Sequence, residues 1–286
     1  MTLESIKELC EKYNIYPSKS KGQNFLLRDD ALEKITQAGD IKKEDTILEI
    51  GPGFGFLTRK LAEKGGNIIS VELDKSLMYV AKKELKGYDN IRFINEDILK
   101  LSYDELKKLT AGREYKIIAN IPYNITGSFL KKFFSINQKP RMMVLLIQKE
   151  VAERLCAPSG KKGEMSILGV SAQFYANPEI ISIVDKSCFY PEPKVNSAII
   201  KLVLREEFFN FIDDKDEKDF FRIVKIGFSS RRKMLKNNLL NGLKNVGVKE
   251  DDIENALLKC GLDLKARPQE LTVDDWKNLR KALLTV

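Results

Sequence analysis

From Asp45 onward the chain alternates short apolar runs rich in β-branched residues with stretches whose apolar positions recur every three or four residues. DTILEI (45–50), NIISVEL (67–73) and IRFINED (91–97) are of the first kind; FLTRKLAEKG and KSLMYVAKKEL, between them, are of the second. That rhythm predicts an α/β domain with a mostly parallel sheet. Further strands are expected at 115–121, 141–147, 179–184 and 197–204, and helices at 126–135 and 148–156. After Glu206 only helical periodicity remains, with turns expected at Gly242, Gly247 and Gly261. A boundary near residue 205 therefore divides an α/β domain, residues 1–205, from a smaller all-helical domain, residues 206–286. The opening MTLESIKELCEKYNI carries charges among its apolar positions, which predicts an amphipathic helix and not the continuous apolar core of a signal peptide. The cytoplasm is the expected location.

Composition narrows the chemistry. A chain of 286 residues, 43% of them hydrophobic, can build a catalytic domain and a smaller one, and no apolar run approaches the roughly 20 residues of a membrane span. There is no histidine, which excludes Ser-His-Asp and Cys-His nucleophilic sites, histidine zinc ligation and histidine proton shuttling together. Cys10, Cys156, Cys188 and Cys260 are scattered without a CxxC pair, so buried thiols are expected and no metal site.

The 49 Lys+Arg exceed the 41 Asp+Glu by eight, and residues 222–249 hold eight basic residues and no acid. In FSSRRKMLKNNL, the residues Arg231, Arg232, Lys233 and Lys236 would fall along the start of a helix after a Ser229-Ser230 cap. They could grip a phosphate backbone or simply form a solvated helix face.

DTILEIGPGFGFLTRKLAEKGG reads as strand, glycine-rich turn and helix, with Gly51, Gly53 and Gly55 where the backbone turns tightly and a ligand approaches closely. The spacing is GxGxG; Phe56 occupies the third-glycine position of the dinucleotide fingerprint, and no Walker Lys-Ser pair follows. S-adenosylmethionine, which has a ribose diol but no phosphates, fits better. Glu72 closes the next strand about 20 residues on, where a carboxylate can accept both ribose hydroxyls. The third strand ends in Asn95-Glu96-Asp97, and Asp97 is placed to accept a hydrogen bond from the adenine amino group. A lone glycine turn or a lone acid would be weak; a turn with acids at two successive strand ends is a constellation.

The fourth strand ends in Asn120-Ile121-Pro122-Tyr123, the (N/D)-(P/I)-P-Y pattern of amino-group methyltransferases. An adenine N6 lone pair is delocalised into the ring, so the amine needs hydrogen-bond acceptors that favour a pyramidal nitrogen. The Asn120 side-chain oxygen and the Ile121 carbonyl can serve, with Pro122 biasing Ile121 toward an extended conformation and Tyr123 offering a face to the base. The sulfonium leaves as a neutral thioether. Catalysis can then rest on aligning nitrogen and methyl carbon at roughly 3–3.5 Å, without general acid, metal or histidine.

Gly22-Gln23-Asn24-Phe25-Leu26, EIGPGFG, NIPYNI, LLIQKEVAERL (145–155) and FYPEPKVNSAIIKL (189–202) together resemble the rRNA adenine N6,N6-dimethyltransferase family, from about Ser18 to Asn238. The resemblance implies a Rossmann-like class I S-adenosylmethionine-dependent methyltransferase domain followed by a helical RNA-binding domain. Within the family the chain is most similar to the bacterial 16S rRNA enzymes, through FSSRRKMLKNNL and, loosely, Arg267-Pro268-Gln269-Glu270-Leu271. That implies dimethylation of two adjacent adenines in the 3′-terminal hairpin of 16S rRNA, within an immature small subunit. Carried over by motif, Asn24, Leu26, Gly51, Glu72, Asp97 and Asn120 bind the cofactor, beside Gly53 of the same turn. Tyr123 and Phe189 would sandwich a flipped adenine; a core aromatic is the lesser alternative for Phe189. Lys19 and Lys21 would form a lip for RNA phosphate. Neither DNA nor a membrane is implied as partner, and a monomer is expected. The alternatives are a 23S rRNA dimethyltransferase of the macrolide-resistance type and a non-catalytic RNA-binding assembly factor on the same fold.

Overall fold

A strand buried on both faces needs an unbroken apolar run, and the runs read from the sequence become the strands of one sheet. The computed structural model describes residues 3–18, 22–158, 165–206 and 214–284. In order, the chain forms α1 (Leu3–Tyr13), β1 (Phe25–Leu26), α2 (Asp29–Ala38), β2 (Thr46–Ile50), α3 (Phe56–Glu63), β3 (Asn67–Val71), α4 (Lys75–Glu84) and β4 (Ile91–Ile94). There follow α5 (Tyr103–Leu109), β5 (Tyr115–Asn120), α6 (Thr126–Ser135), β6 (Met142–Gln148), α7 (Lys149–Leu155), α8 (Ile167–Tyr175), β7 (Ala176–Val184), β8 (Phe189–Tyr190) and β9 (Ser197–Leu204). Four helices close the chain: α9 (Asp214–Gly227), α10 (Leu235–Leu243), α11 (Glu250–Lys259) and α12 (Val273–Leu284).

The main sheet has the order β4-β3-β2-β5-β6-β9-β7. Its first five strands are parallel, and β9 joins β6 and β7 antiparallel. This is a Rossmann-like α/β fold with a helical part. The chain leaves β2 to build β3 and β4 on one side and then returns to the other side with β5. The switch point therefore lies at the carboxyl ends of β2 and β5, where open α/β sheets bind ligands. Ile47, Leu61, Ile68, Ile118, Val144 and Ile199 belong to one buried cluster that α2 and α3 help to close. A second cluster joins Ile6 and Cys10 of α1 to Phe25, Phe54, Leu77 and Val80, so α1 packs beneath the glycine turn and α4. None of the four cysteines is in a disulfide, but only Cys10 is fully buried.

The chain divides into two compact units, Met1–Glu153 with Ala176–Arg205, and Arg154–Tyr175 with Glu206–Val286. A single cut at residue 205 thus leaves out the Arg154–Tyr175 segment of the helical unit. The reason is aromatic packing: Phe174 stacks on Phe220 at 4.3 Å and Tyr175 on Phe221 at 5.5 Å between ring centroids. Gly242 is not a turn but lies within α10, where a Cβ would meet Ile226 of α9 at 2.4 Å, so its small size lets the two helices approach. Gly247 and Gly261, at φ of 85° and 70°, do form the turns around α11. Among the described residues no helix is long and apolar enough to cross a membrane.

Candidate active site

Three glycines shape the turn after β2, with φ of 67° at Gly51, 59° at Gly53 and 85° at Gly55. Only glycine adopts these values without strain. At Gly53 a Cβ would also meet the Phe25 ring at 2.9 Å, which ties the glycine turn to the GQNFL segment. Gly22 of that segment lies just as close to the next motif, since a Cβ there would meet Asn124 Oδ1 at 2.7 Å. Motifs about 100 residues apart in sequence therefore enclose one cavity of about 440 Å³, within the range of small-molecule sites.

The cavity is lined by 22–26, 49–53, 72–74, 96–99 and 120–125, with Leu32, Phe56, Leu57, Val71 and Leu77. Asn24, Leu26, Gly51, Gly53, Glu72, Asp97, Asn120 and Tyr123 are all there. Glu72, 8% exposed, accepts hydrogen bonds from Gly53 N–H at 3.3 Å and Asp74 N–H at 2.9 Å, one on each carboxylate oxygen. A carboxylate has about four acceptor positions, so room remains for a diol. Burial raises the Glu72 pKa, against the pull of these backbone donors. Asp97 accepts from Leu99 N–H at 2.9 Å. The Lys132 ammonium of α6 holds the same loop through the Leu99 and Leu101 carbonyls. Asn95 donates to the Glu72 carbonyl at 2.7 Å and so binds the ends of β3 and β4 together. The Asn120 amide nitrogen donates to the Asn24 carbonyl at 3.2 Å, which leaves its oxygen as the acceptor it can offer a ligand. Tyr123 is half-buried, and its hydroxyl lies 2.5 Å from Ser197 Oγ.

Glu49, next to the turn, lines the cavity too and was not singled out from the sequence. It is 1% exposed, accepts from Ser70 Oγ at 2.9 Å, and its Oε1 lacks a hydrogen bond of good geometry. Burial pushes its pKa up to about 7, opposed by the nearby Thr58 and Ser70 hydroxyls. Its alternation within DTILEI gave the only sequence signal: an acid inside a buried strand.

Several expected residues lie elsewhere. Phe189 is 3% exposed, belongs to the core cluster and pairs with Leu26 in the two-stranded β1–β8 sheet, outside the cavity lining. Its ring thus packs among core side chains, the other reading that the sequence left open for it. Lys19 and Lys21 lie outside the described residues. Arg231, Arg232 and Lys233 are exposed, but on the turn before α10 and not on a helix, and α10 has Met234 at its N-cap without a side-chain cap bond. The buried Asn238 shapes that turn by donating to the Gly227 and Ser230 carbonyls at 2.5 and 2.9 Å. Lys236 is engaged by Glu254 at 2.7 Å and Glu250 at 3.4 Å. It bridges α10 to α11, so its expected place in a phosphate grip is not supported.

A model of the ribosomal RNA adenine dimethylase family matches residues 17–283. The chain belongs to that family. Relatives named ribosomal RNA small subunit methyltransferase A include one from Dehalococcoides mccartyi, 40% identical over 96% of this chain and 90% of its own length. Another, from Clostridium botulinum, is 37% identical over 98% of both chains. A crystal structure of a dimethyladenosine transferase from Plasmodium falciparum superposes with a TM-score of 0.74 at 27% identity, covering 89% of this chain and 95% of that one. The 23S rRNA methyltransferase ErmE, at 24% identity and TM-score 0.72, covers 91% of this chain and 99% of its own and shares the fold. The GQNFL, EIGPGFG and NIPYNI motifs that line the cavity thus sit in an rRNA adenine dimethylase framework.

Proposed function

We propose that the chain is a 16S rRNA adenine N6,N6-dimethyltransferase, which uses S-adenosylmethionine to methylate two adjacent adenines in the 3′-terminal hairpin of small-subunit rRNA during ribosome assembly in the cytoplasm. The observation that carries the reading is the charge of the cavity. In a protein of net charge +8, the described lining contains Glu49, Glu72, Asp74, Glu96 and Asp97 and neither Lys nor Arg. A phosphate-bearing dinucleotide would be repelled there, whereas a cationic, phosphate-free ligand with a diol and an adenine is matched. Family membership and the names of the relatives support the RNA substrate.

In this reading Glu72 holds the ribose, Asp97 the adenine amine, and the glycine turn with Asn24 and Leu26 the remainder. When bound, the cofactor supplies an electrophilic methyl group on a sulfonium that departs as a neutral thioether. The chain's own task is then to present the amine. Asn120 Oδ1 and the Ile121 carbonyl accept its two N–H groups, which frees the nitrogen lone pair from the ring, and Tyr123 faces the base. Low local polarity strengthens these contacts. Arg231, Arg232 and Lys233 on their turn contact RNA phosphates, adding affinity without sequence choice.

The test is methyl transfer from labelled S-adenosylmethionine to undermethylated small subunits and, in parallel, to protein-free 23S rRNA, with mass spectrometry of the nucleosides. N6,N6-dimethyladenosine from the small subunits alone is the expected result. Product from 23S rRNA alone, or tight binding without product from either, overturns the proposal.

A further inference from the structure

Tyr123 stands in a one-turn 3₁₀ segment, Tyr123–Ile125, directly after the β5 strand end. The backbone bond from Ile125 N–H to the Pro122 carbonyl, 3.1 Å, steadies this turn but leaves the phenol ring free to rotate about its side-chain bonds. The ring's far end is held by Ser197, 74 residues away in sequence, at 2.5 Å. Ser197 is 0% exposed and is the first residue of β9, paired with Gln148 of β6 on one side and Val184 of β7 on the other. Its neighbour Asn196 is fixed too, its carbonyl accepting from Lys149 N–H and its Oδ1 from Lys186 N–H, both at 3.0 Å. The hydroxyl thus belongs to a buried strand paired on both sides, while the ring belongs to a short turn that lines the cavity. Ser197 does not line the cavity.

We infer that Ser197 is a positioning residue that anchors the Tyr123 ring plane, and that this anchor governs the second methylation more than the first. The inference rests on the methyl-transfer reading. In that reading the Tyr123 ring, which lines the cavity, faces the target base. Any freedom of the Tyr123 ring is therefore passed directly to the target nitrogen. An N6-methyladenine carries extra bulk at the nitrogen and tolerates fewer productive orientations than adenine, so ring freedom penalises its alignment more.

Five full-length proteins decide the matter: wild type, Ser197→Ala, Ser197→Thr, Tyr123→Phe and the Ser197→Ala/Tyr123→Phe double variant. On undermethylated small subunits, Ser197→Ala and Tyr123→Phe should each lower dimethyladenosine formation by about tenfold and accumulate monomethyladenosine. The double variant should be no worse than either single one, because both remove the same bond. Ser197→Thr, which keeps the hydroxyl, should restore the wild-type product ratio, and cofactor affinity by calorimetry should be unchanged in both Ser197 single variants. A wild-type product ratio in Ser197→Ala, or losses that multiply in the double variant, overturns the inference. A second measurement needs no substrate. The ¹⁹F resonance of 3-fluorotyrosine at position 123 should shift and report faster ring rotation in Ser197→Ala, and an unchanged spectrum also overturns the inference. Absence of dimethyladenosine from the wild type, with the resonance still shifted, removes the methyl-transfer reading and the proposed effect on product ratio together, leaving only a structural tie.

Discussion

Glu49 offers a measurement in which burial, charge and stability are linked by one group. In the folded protein its pKa rises from the ordinary 4.5 to about 7, chiefly through burial, and the Glu72 carboxylate adds to the effect. The folded state therefore binds this proton more tightly than the unfolded state does. Stability contributed by the neutral acid is full below about 4.5 and is lost as pH rises to about 7. At 1.36 kcal/mol per tenfold in proton affinity, the full loss is about 3 kcal/mol, an upper figure for a group that relaxes when ionised. Glu49→Gln keeps the shape and an acceptor for Ser70 Oγ but cannot ionise. Thermal unfolding of wild type and variant should be compared from pH 4.5 to pH 8. The two should nearly coincide at the acid end and separate above neutrality, with the variant higher by on the order of 5–10 °C. Parallel profiles across that range would refute the reasoning, since they would mean that Glu49 ionises in the fold as readily as in water.

Glu72→Gln keeps an acceptor but loses the negative charge and half of the acceptor capacity, so cofactor affinity should fall by at least tenfold; an unchanged dissociation constant by calorimetry removes its ribose role. Asn120→Ala should abolish methyl transfer while RNA affinity in filter binding stays nearly intact, and equal loss of both would count against its role at the amine. Replacing Arg231, Arg232 and Lys233 together with alanine should flatten the dependence of log affinity on log salt by roughly 2–3 in slope. Lys236→Ala should leave that slope unchanged and instead lower the melting temperature, because its ammonium bridges α10 and α11.

The elements that the apolar pattern predicts, from DTILEI to SAIIKLVL, are local properties of the chain. A run of β-branched residues suits a pleated, buried surface, so the type of element is legible before its neighbours are known. The sheet's parallel order also made much of the cavity legible. Asn120 ends β5, Glu72 directly follows β3 and Asp97 lies three residues past β4, and parallel strands that start at one edge bring their ends to the other. The positive φ values at Gly51, Gly53 and Gly55 were likewise implicit in a strand–turn–helix of that composition. What tertiary structure alone decided is whatever depends on a partner distant in sequence. Phe189 and Tyr123 are both aromatic residues within two positions of a proline, yet pairing with β1 buries one in the core and the β5 end sets the other at the cavity. Lys236 and Lys233 are both basic residues of one run, but only Lys236 faces the carboxylates of α11. The Arg154–Tyr175 segment joins the helical unit because Phe174 and Tyr175 find Phe220 and Phe221 there. The acidic lining and the bond from Tyr123 to Ser197 arise in the same way. A side chain's type is written in the sequence, but its exposure and its charge partners follow from which strands and helices meet, and those meetings are set by packing the whole chain at once.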